Sequence, residues 1–204
     1  CVTCHQQIAD GTFPASPLAL AKWQPVVHDL RFTPSIEAAG RFRASWLSEY
    51  LTKPHDLRPA LVPNMPRLAF AAGEVADVVA FLKTRNVTPA ASDIERHPDL
   101  PKGNAENGKA LLGSKTCLLC HRLTGAPAMA MGALNLQLTP EKLERGMALA
   151  PDLRFARERL SPAMLAAWIE KPSRIKPHTD MPDVPLTSQE ARDIATFLYM
   201  VPLE

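Results

Sequence analysis

Two copies of one short motif constrain this chain more than anything else in its 204 residues. Cys1-Val2-Thr3-Cys4-His5 opens the sequence, and Cys117-Leu118-Leu119-Cys120-His121 lies past its middle. All 4 cysteines fall in these two units. Two thiols at that spacing can each add to a vinyl group along one edge of a porphyrin. The histidine that follows then lies beneath the iron as its proximal ligand. The motifs therefore predict two covalent haem c groups, one at Cys1, Cys4 and His5 and one at Cys117, Cys120 and His121. A zinc ribbon would bring its cysteine pairs much closer in sequence and would leave the repeated histidine without a purpose. A thioredoxin-like redox pair expects a strand–helix–strand setting, and neither motif has strand-like surroundings.

The rest of the composition agrees with a chain built around a bulky group. There are 20 prolines against 9 glycines, and aromatic residues make up only 6%. So many helix stops predict short helices, and so few large side chains leave interior space for a porphyrin to fill. The formal net charge of +2 is no nucleic-acid footprint. No run approaches the roughly 18 apolar residues of a membrane span. Thioether attachment of haem takes place outside the cytoplasm, so the expected location is periplasmic or otherwise exported, with a signal peptide already removed.

The chain also repeats itself. Asp29-Leu30-Arg31-Phe32 recurs as Asp152-Leu153-Arg154-Phe155. The segment from Trp46 to Pro54 has its counterpart in Leu165 to Pro172, Asn64-Met65-Pro66 in Asp180-Met181-Pro182, and Asp77–Leu82 in Asp193–Leu198. The interval from Met65 to Phe81 equals that from Met181 to Phe197. Shared landmarks in a shared order indicate a duplicated unit. The expected division is a first domain over 1–90, a linker over 91–103 that is rich in Pro and Asp, and a second domain over 104–204. Ser161-Pro162 reads as an N-cap with proline at the first helical position, and that helix stops before Pro172 as its counterpart stops before Pro54. Thr187 and Glu190 form a capping box for a last helix whose apolar face is Ala191, Ile194, Ala195, Phe197 and Leu198. Residues 104–114 form a helix leading into the second motif.

An iron bound by histidine on one side needs its other side explained, because that side decides between electron transfer and chemistry. Met65 and Met181 are the candidates. Each follows the Lys-Pro helix stop, precedes the final helix of its repeat and is itself followed by proline. A thioether is a soft ligand that favours ferrous iron. His178 is the rival at the second iron, but its counterpart is Val62. Met129 and Met131 are weaker candidates without a first-half equivalent. Met147, Met164 and Met200 read as core filler, His55 and His97 as exposed, and His28 as a structural hydrogen-bonding residue.

Taken together, these residues resemble the class I c-type cytochromes in their tandem dihaem form. The resemblance implies an all-α fold of two tandem cytochrome c domains, each wrapped around one haem with an edge exposed. It also implies a proline carbonyl accepting from the proximal histidine: Pro151 for His121, with Pro25 or His28 standing there for His5. The first copy lacks the helix that precedes the motif in the second, so the mature chain is expected to begin earlier than Cys1. A lipid on Cys1 would use up a haem thiol. The implied function is single-electron transfer between redox proteins (cytochrome, cupredoxin, oxidase or dehydrogenase), with irons His5/Met65 and His121/Met181. A cytochrome subunit of a larger respiratory, photosynthetic or dehydrogenase complex is the alternative. An enzyme is the third reading: a dihaem peroxidase needs an open iron, and thiosulfate oxidation looks to a cysteine ligand that this chain does not have spare.

Overall fold

The computed structural model describes residues 14–16, 18, 34–55, 57–60, 65, 67–85, 103–133 and 138–204. Those residues are helical, with no strand among them. In chain order they form α1 (Ala44–Thr52), α2 (Glu74–Thr84), α3 (Ala105–Ser114), α4 (Pro140–Leu149), α5 (Ala156–Arg159), α6 (Pro162–Glu170), α7 (Pro172–Ile175) and α8 (Ser188–Met200). The longest has 13 residues, so the proline-rich composition does give short helices.

Local chemistry sets most of these ends. The Ser161 side chain accepts from the Met164 backbone N–H, with Pro162 at the first position of α6. Thr139 and Pro140 start α4 in the same way. Thr187 and Glu190 make the reciprocal capping box of α8. Both α1 and α6 have 9 residues and end at a lysine of similar backbone angles, Lys53 and Lys171, just before a proline. Proline disfavours helical geometry in the residue before it, so the two helices stop for one reason. The expected linker falls outside the described residues except for Gly103.

α8 is the centre of the second half, packed most extensively on α3 and α6. Its predicted face is buried throughout, with Ala191, Ile194, Ala195, Phe197 and Leu198 each at most 8% exposed. The crossing with α3 is close because Gly108 has no side chain: a Cβ there would fall on the Asp193 carbonyl. Asp193 fastens the same crossing. Only 3% exposed, it accepts from the Asn104 backbone N–H (2.8 Å) and from the side-chain amides of Asn107 (2.6 Å) and Gln189 (2.8 Å).

The two halves interlock. Ala38 and Phe42 belong to the core around α8, and Phe155 packs into the smaller core formed by Trp46, Leu47, Leu51, Leu57, Val79 and Leu82. The backbone N–H of Arg43 donates to the Arg159 carbonyl (2.8 Å), and that of Asp152 donates to the Leu57 carbonyl (2.7 Å). The Arg43 side chain reaches the Leu160 carbonyl (3.1 Å) and the Tyr199 hydroxyl (3.1 Å). His55, expected to be exposed, is instead half-buried between the rings of Tyr50 and Phe155, at centroid distances of 5.4 and 4.9 Å. The ring thus takes part in the contact between the halves. The methionines expected to fill the core divide as well. Met164 does so at 6% exposed, whereas Met147 and Met200 are 42% and 67% exposed on outer helix faces.

Candidate functional site

The second motif begins where α3 ends. Thr116 turns the chain in the left-handed region, at φ 59°, a strained choice for a β-branched residue. A 3-10 turn follows over Cys117–Leu119, closed by hydrogen bonds from the Cys120 and His121 backbone N–H groups to the Cys117 carbonyl (3.3 and 3.0 Å). This turn brings Cys117, Cys120 and His121 to the wall of one cavity, with about 1360 Å3 of empty space including its solvent-open part. Met181 lines the same cavity, among apolar side chains that include Leu138, Leu153, Leu165 and Leu198.

Each polar member has its chemistry set by its neighbours. His121 Nδ1 lies 2.8 Å from the Pro151 carbonyl, as the resemblance implied. A carbonyl can only accept, so Nδ1 carries the proton and Nε2 is left with a free lone pair for a metal. Burial holds the imidazole below its usual pKa and outweighs the Pro151 bond, which acts in the opposite direction. The ring is therefore neutral, the form that ligates. Burial also pushes the Cys117 thiol up to about 11 and raises that of Cys120. Neither cysteine is in a disulfide. Two thiols suit addition to vinyl groups, whereas zinc takes thiolates. Among the described residues, no group of three His, Cys, Asp or Glu side chains gathers as a metal-holding set.

The methionine segment is held from several directions. Met181 donates its N–H to Thr179 Oγ1 (3.2 Å), and Ser173 donates to both oxygens of Asp183. Arg145 of α4 pairs with Asp180 at 2.9 Å. The Trp168 indole N–H donates to Met181 Sδ at 3.0 Å. The sequence had shown neither the Arg145 tether nor the Trp168 bond, since both cross between separate elements. Through this ion pair α4, which lies between His121 and Pro151 in the chain, lines one side of the cavity and steadies the methionine segment. Pro151 is itself positioned by Asp152, which accepts from Thr124 and from the backbone of Arg154. His178, the rival ligand, is exposed and does not line the cavity; Met131 is 60% exposed and Met129 packs against the core.

Of the first site, only Met65 is described. It is half-buried against the Trp46 and Leu47 core. Cys1, Cys4, His5, Pro25, His28, Val62 and His97 lie outside the described residues.

The donor set of the second cavity fits a haem c: two neighbouring thiols, a neutral imidazole with its lone pair free, a tethered thioether and apolar walls. Residues 105–201 match the family model for Cytochrome c. The match includes Cys117, Cys120, His121 and Met181 and lies wholly in the second half. No curated protein and no solved structure matches the chain. The match makes this segment, about half of the chain, similar to a family of haem-binding electron-transfer proteins. Among the described residues, no helix is long and apolar enough to cross a membrane.

Proposed function

We propose that this chain is an exported dihaem c-type cytochrome that passes single electrons between a redox-protein donor and acceptor through two His/Met-ligated haems. The observation that carries the reading is the joint presence of His121 and Met181 in one apolar cavity whose wall bears both thiols. When bound, haem supplies a one-electron ferric/ferrous couple. The residues of the chain do the rest. Cys117 and Cys120 fix the haem edge, Pro151 orients His121, and Trp168, Thr179 and Arg145 hold the methionine segment. His121 and Met181 would together hold the iron, which would leave it no open position for a substrate.

Support for the first haem, on Cys1, Cys4 and His5 with Met65 as sixth ligand, comes from the sequence repeat, from the matching ends of α1 and α6, and from the half-buried position of Met65. The test is a haem count on purified holoprotein, followed by Met65→Leu and Met181→Leu examined separately. Two haems are expected, and each substitution should remove about half of the ferric methionine-to-iron band. Survival of the band in both variants would sink the ligand assignment.

One observation favours a second reading, a cytochrome subunit within a larger complex. Phe81 on α2 is 50% exposed, while its repeat counterpart Phe197 is 8% exposed beneath α3. An apolar ring so placed suits a partner surface. Sizing of the natively purified protein distinguishes the two, since a lone monomer removes the second.

A further inference from the structure

Positive charge collects at the second cavity with little to balance it. Arg41, from the 3-10 turn of the first half, and Arg159, at the end of α5, both line the cavity, as does Lys176. The two guanidinium groups share one ring: Arg41 lies 4.1 Å and Arg159 4.9 Å from the Phe42 centroid. Arg41 also reaches Trp168 (4.8 Å), and Arg159 reaches Trp46 (5.2 Å). Arg159 is only 9% exposed, and its Nε is buried with no hydrogen-bond partner. Arg41 Nη1 donates to the Ala38 carbonyl at 2.8 Å, a neutral acceptor.

Carboxylates do not fill the gap. Five cationic side chains line the cavity, Arg41, Arg58, Lys115, Arg159 and Lys176, against two carboxylates, Asp152 and Asp180, with Glu37 acting on Arg41 and Lys176 from outside the lining. Lys115 pairs with Glu190, and Asp152 is engaged by Thr124. Asp180 is already paired with Arg145, and neither Arg41 nor Arg159 forms an ion pair among the described residues. Burial, with Arg58 next, lowers both guanidinium groups to about 9. An arginine does not give up its proton in a protein. Such a cluster is stable only with an anion among its members, because an unpaired buried charge is costly.

We propose that Arg41, Arg159 and Lys176 form the binding site for the propionate carboxylates of the haem held at His121. The first half of the chain thereby completes the cavity of the second haem through Arg41. This rests on the reading of residues 105–201 as a haem domain and goes beyond it, because a family resemblance confined to that segment says nothing of Arg41. The pairing has an electrical consequence. Neutralising a propionate removes negative charge that favours ferric iron, so the potential of the second haem is raised. It also keeps the propionate ionised in both redox states, so that this potential does not change with pH across the neutral range.

The test uses the full-length holoprotein with Arg41→Gln, Arg159→Gln and Arg41→Lys. Mass mapping of the peptide that bears Cys117 and Cys120 first establishes that haem is attached at the second motif; its absence there would overturn the haem reading itself. With haem attached, both glutamine variants should keep the methionine-to-iron band, show a lower potential for the second haem and acquire a potential that falls with rising pH. Arg41→Lys should restore the flat profile, which a merely structural role would not require. An unchanged potential and unchanged pH profile in the glutamine variants overturns the proposal. Should Arg159→Gln not fold, half-buried Arg41 decides alone. If neither glutamine variant folds, the wild-type profile is itself decisive: a slope through the neutral range overturns the anion site.

Discussion

At the residue scale, the proposed haem site of the second half depends on the atoms placed around His121 and Met181. Trp168 directs its indole N–H at Met181 Sδ. In the proposed site, sharing a sulfur lone pair with a donor would weaken what the thioether gives to ferric iron, so the bond would favour the ferrous state. Trp168→Phe keeps the ring and removes the donor. The midpoint potential of the second haem should then fall by the worth of one neutral hydrogen bond, about 1 kcal/mol or roughly 40 mV for one electron. Spectroelectrochemistry would record it, and an unchanged or raised potential would remove this role from Trp168. The repeat bears on the same point. Aligning Lys171-Pro172 with Lys53-Pro54 sets Trp168 against Tyr50 rather than Trp46, so the first copy has a phenol where the second has an indole. Under the proposed dihaem reading, this one difference would give the two haems different potentials.

At the scale of elements, the crossing of α3 and α8 depends on Gly108 for its closeness and on Asp193 for its polar fastening. The Asp193 carboxyl is held below its ordinary value. Burial acts to raise it, and the hydrogen bonds from Asn104, Asn107 and Gln189 more than offset that. A folded value below the unfolded one means that ionisation favours the folded state. The contribution is complete above the unfolded carboxylate range and is lost as pH falls through the depressed folded value. Asp193→Asn should cost about 1.5–3 kcal/mol near neutrality. The gap from wild type should narrow as the solution is acidified into that range. Urea unfolding at several pH values would show both, and a gap that widens toward acid would contradict the assignment. Sequence patterns place the helices themselves well: Ser161-Pro162, Thr187 with Glu190 and the two Lys-Pro stops are local signals, and each marks an end that the structure has. Asp193 carries no such signal. In the sequence it is one more polar residue in a helix, and its role needs the partner helix beside it.

At the scale of the whole molecule, the two halves share cores. Phe42 and Ala38 enter the core of the second, Phe155 enters that of the first, and Arg43 spans the boundary with backbone and side-chain bonds. Halves joined only by a tether would unfold separately. Interlocked halves should unfold together. The holoprotein should therefore show one calorimetric transition, with equal van't Hoff and calorimetric enthalpies. Arg43→Ala, which removes two side-chain hydrogen bonds across the boundary, should lower its stability by about 1–2 kcal/mol. Two resolved transitions in the wild-type protein would overturn this view of the contact.

The sequence by itself determined what is local: the two Cys-x-x-Cys-His spacings, the repeat that pairs Met65 with Met181, and the helix stops all act over short stretches, where covalent spacing and backbone preference decide. Only the tertiary structure decided which charges stand together. Arg41 and Arg159, far apart in the chain, share Phe42 beside the second cavity. The ring of His55 is covered by Phe155, and Met147 and Met200 lie outside the core that their composition suggested. Burial and the balance of charge belong to the surroundings of a side chain, and those exist only after distant segments have packed.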